Sequence, residues 1–316
     1  TLPRVNPQIT FWGERESVAL IKDLLVGEGL NEVITYSLIN QDLLKGLDLE
    51  RGSSVIKILN PLSKEQEILR PTLIPGLLGC VATNQNQKQD YIHIFEIAKV
   101  FFAEQGRMQE KLFLAIVLCG IQSLFAIEQG LSQEEMGFLH LKGISEVLLE
   151  RLGISDYSFK IRDNTSQIAI EKAGKNLGFM ARLPKEVLDY FDIKNKDVFV
   201  AEFSLERLLY HVQLKKRFKP LPIYPGISRD ISLILKEDIK ANEILEAIRE
   251  KGLDLLRDLE IVDYYKGRQI PLGFKGLTIS CFYRSDERTL TEAEIEPLHS
   301  QILAVLADKF SAKISS

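Results

Sequence analysis

The side chains of this chain with most chemistry to offer are three cysteines, four histidines and a few arginines set among prolines and glutamates. A thiolate can attack a carbonyl or bind a soft metal, and histidines at helical spacing can hold zinc. Neither pattern is present. Cys80, Cys119 and Cys281 each sit inside an apolar stretch (GLLGCVA, AIVLCGI, TISCFY). No two share metal-ligand spacing, and three cannot all pair within one chain, so they read as small buried hydrophobes of a reducing cytosol. His93, His140, His211 and His299 are scattered without an H-x-x-x-H spacing, and no metal site is expected. Arg70, in Leu-Arg-Pro-Thr, and Arg207, in Leu-Glu-Arg-Leu, are guanidinium groups able to bind an anion. Each has a structural alternative: Arg70 tying a loop or capping a carbonyl, Arg207 as an ordinary helix-surface charge. In the last third, Asp263, Tyr264 and Tyr265 set a carboxylate beside two rings.

Composition bounds the rest. The chain has 316 residues, 45% hydrophobic and 27% charged, and a formal net charge of −4. That describes an ordinary soluble globular protein of two domains. It argues against avid, nonspecific nucleic-acid binding. Residues 213–316 hold 17 Lys and Arg against 16 Asp and Glu, a net of +1, which leaves −5 for residues 1–212. Any RNA contact therefore belongs to the last third. The longest apolar run, Leu112 to Ile121, is too short to span a bilayer. No basic stretch precedes an apolar one at the start, as a signal peptide would require, and a cytoplasmic location is expected. Beginning at Thr1 without methionine, the chain reads as a piece of something longer.

The elements that must position these groups follow from periodicity. Residues 11–29 read as an amphipathic helix, with Val18, Ile21, Leu24 and Leu25 at helical spacing and Gly27 and Gly29 at its end. A strand is predicted from Glu32 to Leu38, and a helix from Leu73 to Asn84 opened by Pro71. Strands follow at Tyr91–Phe102 and Lys111–Leu118, a helix at Gly137–Gly153, and short strands at 168–170, 177–181 and 198–203. A linker is predicted over Gln213 to Tyr224, where Lys215, Lys216, Arg217 and Lys219 precede Pro220, Pro222 and Pro225.

The last part reads strand 230–236, helix 241–251, strand 259–265, strand 277–283, helix 291–310 and a short strand at 312–314. That βαββαβ order is the ferredoxin-like arrangement, an antiparallel sheet with two helices on one face. Thr291 and Glu294 form a capping box. Leu277, Ile279, Cys281 and Tyr283 are expected to face the helices, and Thr278, Ser280, Phe282 and Arg284 to face outward. The same alternation puts Asp263 and Tyr265 with Ile261 on the core side, and Val262, Tyr264 and Lys266 outward. Either a bulge resets the parity, or these residues lie beyond the helix-covered part of the strand.

Several segments, taken in order, resemble the bacterial phenylalanyl-tRNA synthetase β subunit family, in its C-terminal part. They are Gly29-Leu-Asn-Glu-Val-Ile-Thr-Tyr-Ser-Leu38, Leu59-Asn-Pro-Leu-Ser63, Ile68-Leu-Arg-Pro-Thr-Leu-Ile-Pro-Gly-Leu77, Phe95-Glu-Ile-Ala-Lys-Val-Phe101 and Leu141-Lys-Gly143. Tyr224-Pro-Gly-Ile-Ser-Arg-Asp230 and Glu287-Arg-Thr-Leu-Thr291 follow. The resemblance implies an α+β chain. Residues 1–212 would be a class II synthetase-like antiparallel sheet with helices, and residues 213–316 a ferredoxin-fold anticodon-binding domain. It implies a catalytic α subunit and tRNA(Phe) as partners, an α2β2 heterotetramer, and ATP and Mg2+ held in the α subunit rather than here.

Adenylate formation needs arginines, because carboxylate attack on the α-phosphate builds negative charge. Where catalytic class II relatives carry the second-motif arginine, this chain has Phe102, which offers neither charge nor donor. The third motif's nearest match, Ala201 to Leu208, keeps Glu206-Arg207 but lacks glycines, and Phe203 and Leu205 are expected to crowd the site. No catalytic residue is therefore expected. Lys142 reads as structural. The helix at 14–27, through Leu24 and Leu25, is expected to build the subunit interface. By the same resemblance Asp263 and Tyr265 contact the anticodon, although Gly276 replaces a small hydroxyl residue found in the family. Lys266, Arg268, Lys275, Arg284 and Arg288 are candidate phosphate contacts. The competing readings are a free-standing class II adenylate-forming enzyme and a synthetase-like regulatory paralogue.

Overall fold

A computed structural model describes residues 14–47, 55–104, 106–121, 136–162, 167–194, 197–215, 218, 220–252, 255–267 and 270–315. Two compact units divide the chain, Thr1–Lys216 and Arg217–Ser316, so the boundary falls inside the expected linker. Arg268, and the linker's Lys216, Arg217 and Lys219, lie outside the described residues.

In the first unit the sheet is built from β1 (Asn31–Glu32), β4 (Tyr91–Glu104), β5 (Arg107–Gly120), β9 (Val198–Ser204), β8 (Lys175–Arg182), β7 (Gln167–Lys172) and β6 (Tyr157–Ile161), in that order. Only the short β1 runs parallel to its neighbour β4; the other pairings are antiparallel. The second half of β5, from Phe113 to Gly120, is buried throughout, as expected of a strand covered on both faces. On one face Leu114, Ile116, Phe199, Ala201 and Phe203 pack against α1 (Glu14–Gly27), α3 (Phe138–Arg151) and α5 (Leu205–Tyr210). On the other, Phe113, Ala115, Val117, Val198 and Val200 pack against α2 (Ile74–Asn86) and α4 (Lys185–Tyr190). A two-stranded sheet, β2 (Leu38–Ile39) with β3 (Ile68–Leu69), stands beside it.

Two local expectations change. Pro75, not Pro71, occupies the first turn of α2. The strand expected from Glu32 to Leu38 is interrupted between β1 and β2 because Glu96 intercepts its backbone. Val33 N still donates to Phe95 O and Ser37 O accepts from Arg70 N, both at 2.9 Å, but between them Thr35 N donates to Glu96 Oε1 at 3.1 Å and Thr35 Oγ1 to Oε2 at 2.7 Å, a side chain in place of a strand. Gly76 explains how α2 comes so close: a Cβ there would stand 2.3 Å from Thr35 Oγ1. Arg70 completes the knot. Almost wholly buried, it donates to Lys99 O (3.1 Å), Thr35 Oγ1 (2.8 Å) and Glu96 Oε1 (3.0 Å). Of the two sequence readings for Arg70, the loop tie is the one realised.

The second unit is a four-stranded antiparallel sheet ordered β11 (Leu256–Tyr265), β12 (Phe274–Tyr283), β10 (Ile227–Lys236) and β13 (Lys313–Ser315). Its helices are α6 (Ala241–Gly252) and α7 (Glu292–Phe310). Leu277, Ile279, Cys281 and Tyr283 are buried under them with Ile231, Leu233 and Leu235. Thr291 caps α7 with its N–H and hydroxyl both donating to Glu294 at 2.9 Å, the predicted capping box. Among the described residues no helix is long and apolar enough to cross a membrane.

Candidate nucleic-acid interface

With the helices on one side of the second sheet, its other face is open, and the register decides which side chains stand on it. In an antiparallel pair, residues directly opposite each other share a face. Ile261 pairs with Ile279, a helix-side position, but Asp263 pairs with Thr278 and Tyr265 with Gly276. One residue, Val262, is skipped between them. This is a β-bulge, and an extra residue flips every later side chain to the opposite face. The bulge therefore moves Asp263 and Tyr265 off the core side and onto the open face, choosing between the alternatives left by simple alternation.

Two rows across the open face result. In one, Asp263 adjoins Thr278, which adjoins Ser232, and the two hydroxyls lie 3.1 Å apart. In the other, Tyr265 adjoins Gly276, then Ile234, then Lys313 at the sheet edge. A ring beside a carboxylate and two hydroxyls offers a planar base one surface to stack on and several groups to hydrogen-bond its edge. The next rows carry Glu260, Ser280 and Asp230, then Asp258, Phe282 and Ser228. Four carboxylates on this face disfavour a phosphate backbone lying flat upon it, and favour bases turned inward with phosphates at the rim.

The candidate phosphate contacts do not converge. Lys266 follows Tyr265 directly, pairs with Glu237, and has its ammonium 5.9 Å from the Tyr264 ring centre. Lys275 is buried, on the helix side beside Leu235, and its ammonium donates to the Glu237 carbonyl at 3.0 Å and to that of Ile239. That correction has a simple cause: its charge is committed to the carbonyls of a turn. Arg284 lies at the other end of the sheet, roughly 30 Å from Lys266 at about 3.4 Å per residue, and reaches Asp286 only at 3.5 Å. Arg288 pairs with Glu294 at 2.6 Å. Lys313, exposed and in the Tyr265 row, is the cation that sequence reasoning missed. Its signal was the register of a three-residue edge strand, which no local pattern reveals.

The first unit holds a cavity of about 620 Å³ at one end of its sheet, lined by Phe102, Phe113, Phe179, Lys111, Lys175 and Arg207 among others. Lys111 pairs with Glu206 at 2.5 Å, Lys175 sits 4.9 Å above the Tyr210 ring, and Arg207 donates to Asn176 O at 2.8 Å. Glu202 is buried at its floor, accepting from Thr72 Oγ1 at 2.6 Å and Leu73 N at 2.9 Å. Three glutamates, at 104, 202 and 206, match the three cations, so no excess positive charge awaits a polyphosphate. Phe203 and Leu205 do not crowd this cavity; both are buried in the core on the opposite face of the sheet.

The expected subunit contacts on α1 also need correction. Leu25 is 1% exposed and Leu24 packs partly buried against the same core, because the stripe of α1 is committed to its own sheet. Among the described residues of the first unit the most exposed apolar side chains are Leu59 (97%), Leu62 (94%), Ile34 (90%) and Tyr36 (82%), and on α1 itself Val26 is more than half exposed.

Fold and site together define a synthetase-like sheet followed by a ferredoxin-fold module whose open face is suited to RNA bases. The chain belongs to the phenylalanyl-tRNA synthetase β chain family: that family's CLM domain matches residues 1–205, and the ferredoxin-fold anticodon-binding domain matches residues 222–315. Similar proteins include the phenylalanine--tRNA ligase β subunits of Clostridium tetani (29% identical, 93% of this chain, 37% of that protein) and Fusobacterium nucleatum (32%, 93% and 38%). That of Syntrophotalea carbinolica is 31% identical over 94% of this chain and 38% of that protein. The chain thus spans under two-fifths of the length of these curated relatives.

Proposed function

We propose that this chain is the assembly and tRNA-binding portion of a heteromeric phenylalanine--tRNA ligase. The second unit holds the anticodon region of tRNA(Phe), with Tyr265 stacking on a base and Asp263 accepting from a base edge. The observation that carries this reading is the Val262 bulge, which brings both side chains onto the open face beside Thr278 and Ser232. Phosphates stay at the rim, near Lys266 and Lys313.

The first unit forms no adenylate. Phe102 and the matched charges of the cavity give no fixed cation to a developing phosphate charge. ATP and Mg2+ belong to the α subunit in an α2β2 enzyme, and Ile34, Tyr36, Leu59 and Leu62 supply the apolar contact to it. Phenylalanine- and ATP-dependent pyrophosphate exchange by this chain alone would instead favour a free-standing enzyme.

The deciding test is a double-mutant cycle on the complete ligase, pairing Tyr265→Ala with an anticodon base substitution. Base–aromatic stacking loses roughly 5- to 150-fold in affinity when the ring is removed. The two losses should not add, since they remove one shared contact. Fully additive losses, or none from Tyr265→Ala, refute the contact.

A further inference from the structure

Gly276 occupies the interior of β12, where glycine is ordinarily unfavourable. Two common reasons for a strand glycine do not apply: its φ is not in the left-handed region, and the β12 ladder with β10 runs through it without a shift. Space is the remaining reason. A Cβ at Gly276 would stand 2.2 Å from both Cε2 and Cζ of Tyr265 and 2.6 Å from its Cδ2. The phenol ring lies across the bare backbone of its cross-strand neighbour, in the gap a side chain would fill. Ordinary contact begins near 3.4 Å, so even a methyl group must displace the ring by more than about 1 Å or force its rotation.

We infer that Gly276 is a positioning residue for RNA recognition: it holds the Tyr265 ring down across the sheet, setting the surface on which a base stacks. The inference rests on the stacking role proposed for Tyr265 and extends it to a residue that touches no base. It also accounts for the missing side chain at this position, because a hydroxyl there and the observed ring placement exclude each other. Upstream, the bulge brings Tyr265 to this face; across the strand, Gly276 sets the ring's height. Stacking is sensitive to ring placement because its attraction is spread over many short-range contacts, each weakened by a gap of 0.5–1 Å.

The experiment measures binding of a tRNA(Phe) transcript to the complete ligase carrying Gly276→Ala, Tyr265→Ala, or both, with thermal unfolding as the check on fold. Gly276→Ala should weaken binding at least fivefold against the native tyrosine, and by less than twofold once Tyr265 is alanine. A purely structural role for Gly276 predicts equal losses in both backgrounds, and that result overturns the inference. So does a Gly276→Ala affinity within twofold of the parent when Tyr265→Ala is weakened. If Tyr265→Ala itself leaves affinity unchanged, the stacking role fails first and the inference falls with it. A second probe, Gly276→Ser, puts a Cβ at the same place and adds a hydroxyl, so it must also weaken binding; full affinity with serine would mean that the ring tolerates displacement and would equally refute the assignment.

Discussion

Replacing Arg70 with methionine tests the buried knot that ties the segment at 33–37 to the sheet. Arg70 is 3% exposed, and its guanidinium serves Lys99 O, Thr35 Oγ1 and Glu96 Oε1 at 2.8–3.1 Å. Methionine keeps much of the stem and removes every donor. Glu96, itself 1% exposed, is left with the two donors of Thr35 and no countercharge. Breaking a buried ion pair from one side costs about 3–5 kcal/mol, and the remaining Thr35 bonds place this case at the lower end. For a unit near 200 residues that is a fall of about 6–12 °C in Tm, read by differential scanning calorimetry of the whole chain. The exposed Arg182–Asp197 pair, at 2.7 Å, is the control: Arg182→Ala should move Tm by less than about 3 °C. The sharper arm is Arg70→Met with Glu96→Leu. Removing both charges should recover part of the loss, because the penalty is the orphaned carboxylate rather than the missing pair. A single variant within 2 °C of the parent, or a double variant no better than the single, would refute this account.

His93 is buried, its Nε2 bonded to Ile121 O at 3.0 Å, and desolvation lowers its pKa to about 4 despite that bond. The unfolded chain takes up this proton near pH 6.5 and the folded chain does not, so stability is present above pH 6.5 and is lost as pH falls towards 4. The loss is about 3 kcal/mol across that window, and urea titrations of His93→Gln should show a correspondingly flatter dependence. Lys275→Met orphans the Glu237 and Ile239 carbonyls and should cost about 1–3 kcal/mol of second-unit stability; an unchanged unfolding midpoint in urea would count against that. Ile34→Asp with Tyr36→Asp should weaken α-subunit association without lowering Tm by more than about 2 °C, since both are exposed surface positions. Gel filtration with the α subunit checks it, and undiminished complex formation would point to another surface.

The second unit was legible wherever one-dimensional rules suffice. Strand alternation on β12 sorts Leu277, Ile279, Cys281 and Tyr283 from Thr278, Ser280 and Phe282, and the helix start at Thr291 is written in two residues. The first unit was less so. β6, α4 and α5 are five or six residues long, too short for a period to show. Leu25 shows another limit: an apolar stripe says that a helix face is covered, not whether by its own sheet or by a partner. Lys275 was within reach, since it shares parity with Leu277, but a long amphipathic side chain can end in solvent or on a carbonyl, and only the turn at 237–239 decides.

The candidate site itself turns on a single residue. Counting by twos from Ile261 sends Asp263 and Tyr265 into the core, where a carboxylate would be left without partners or countercharge. Val262 bulges instead, and the cost of one unpaired residue is offset by keeping Asp263 in water. Nothing in the tripeptide Asp-Tyr-Tyr specifies this, because the bulge is a property of two strands. Ile261 is held opposite Ile279, and Tyr265 settles where Gly276 leaves room, so the extra residue must fall between them. The glycine that looked like a departure at sequence level is therefore part of what fixes the register. The placement of the Tyr265 ring on this face depends on a pair of positions, 265 and 276, rather than on either alone.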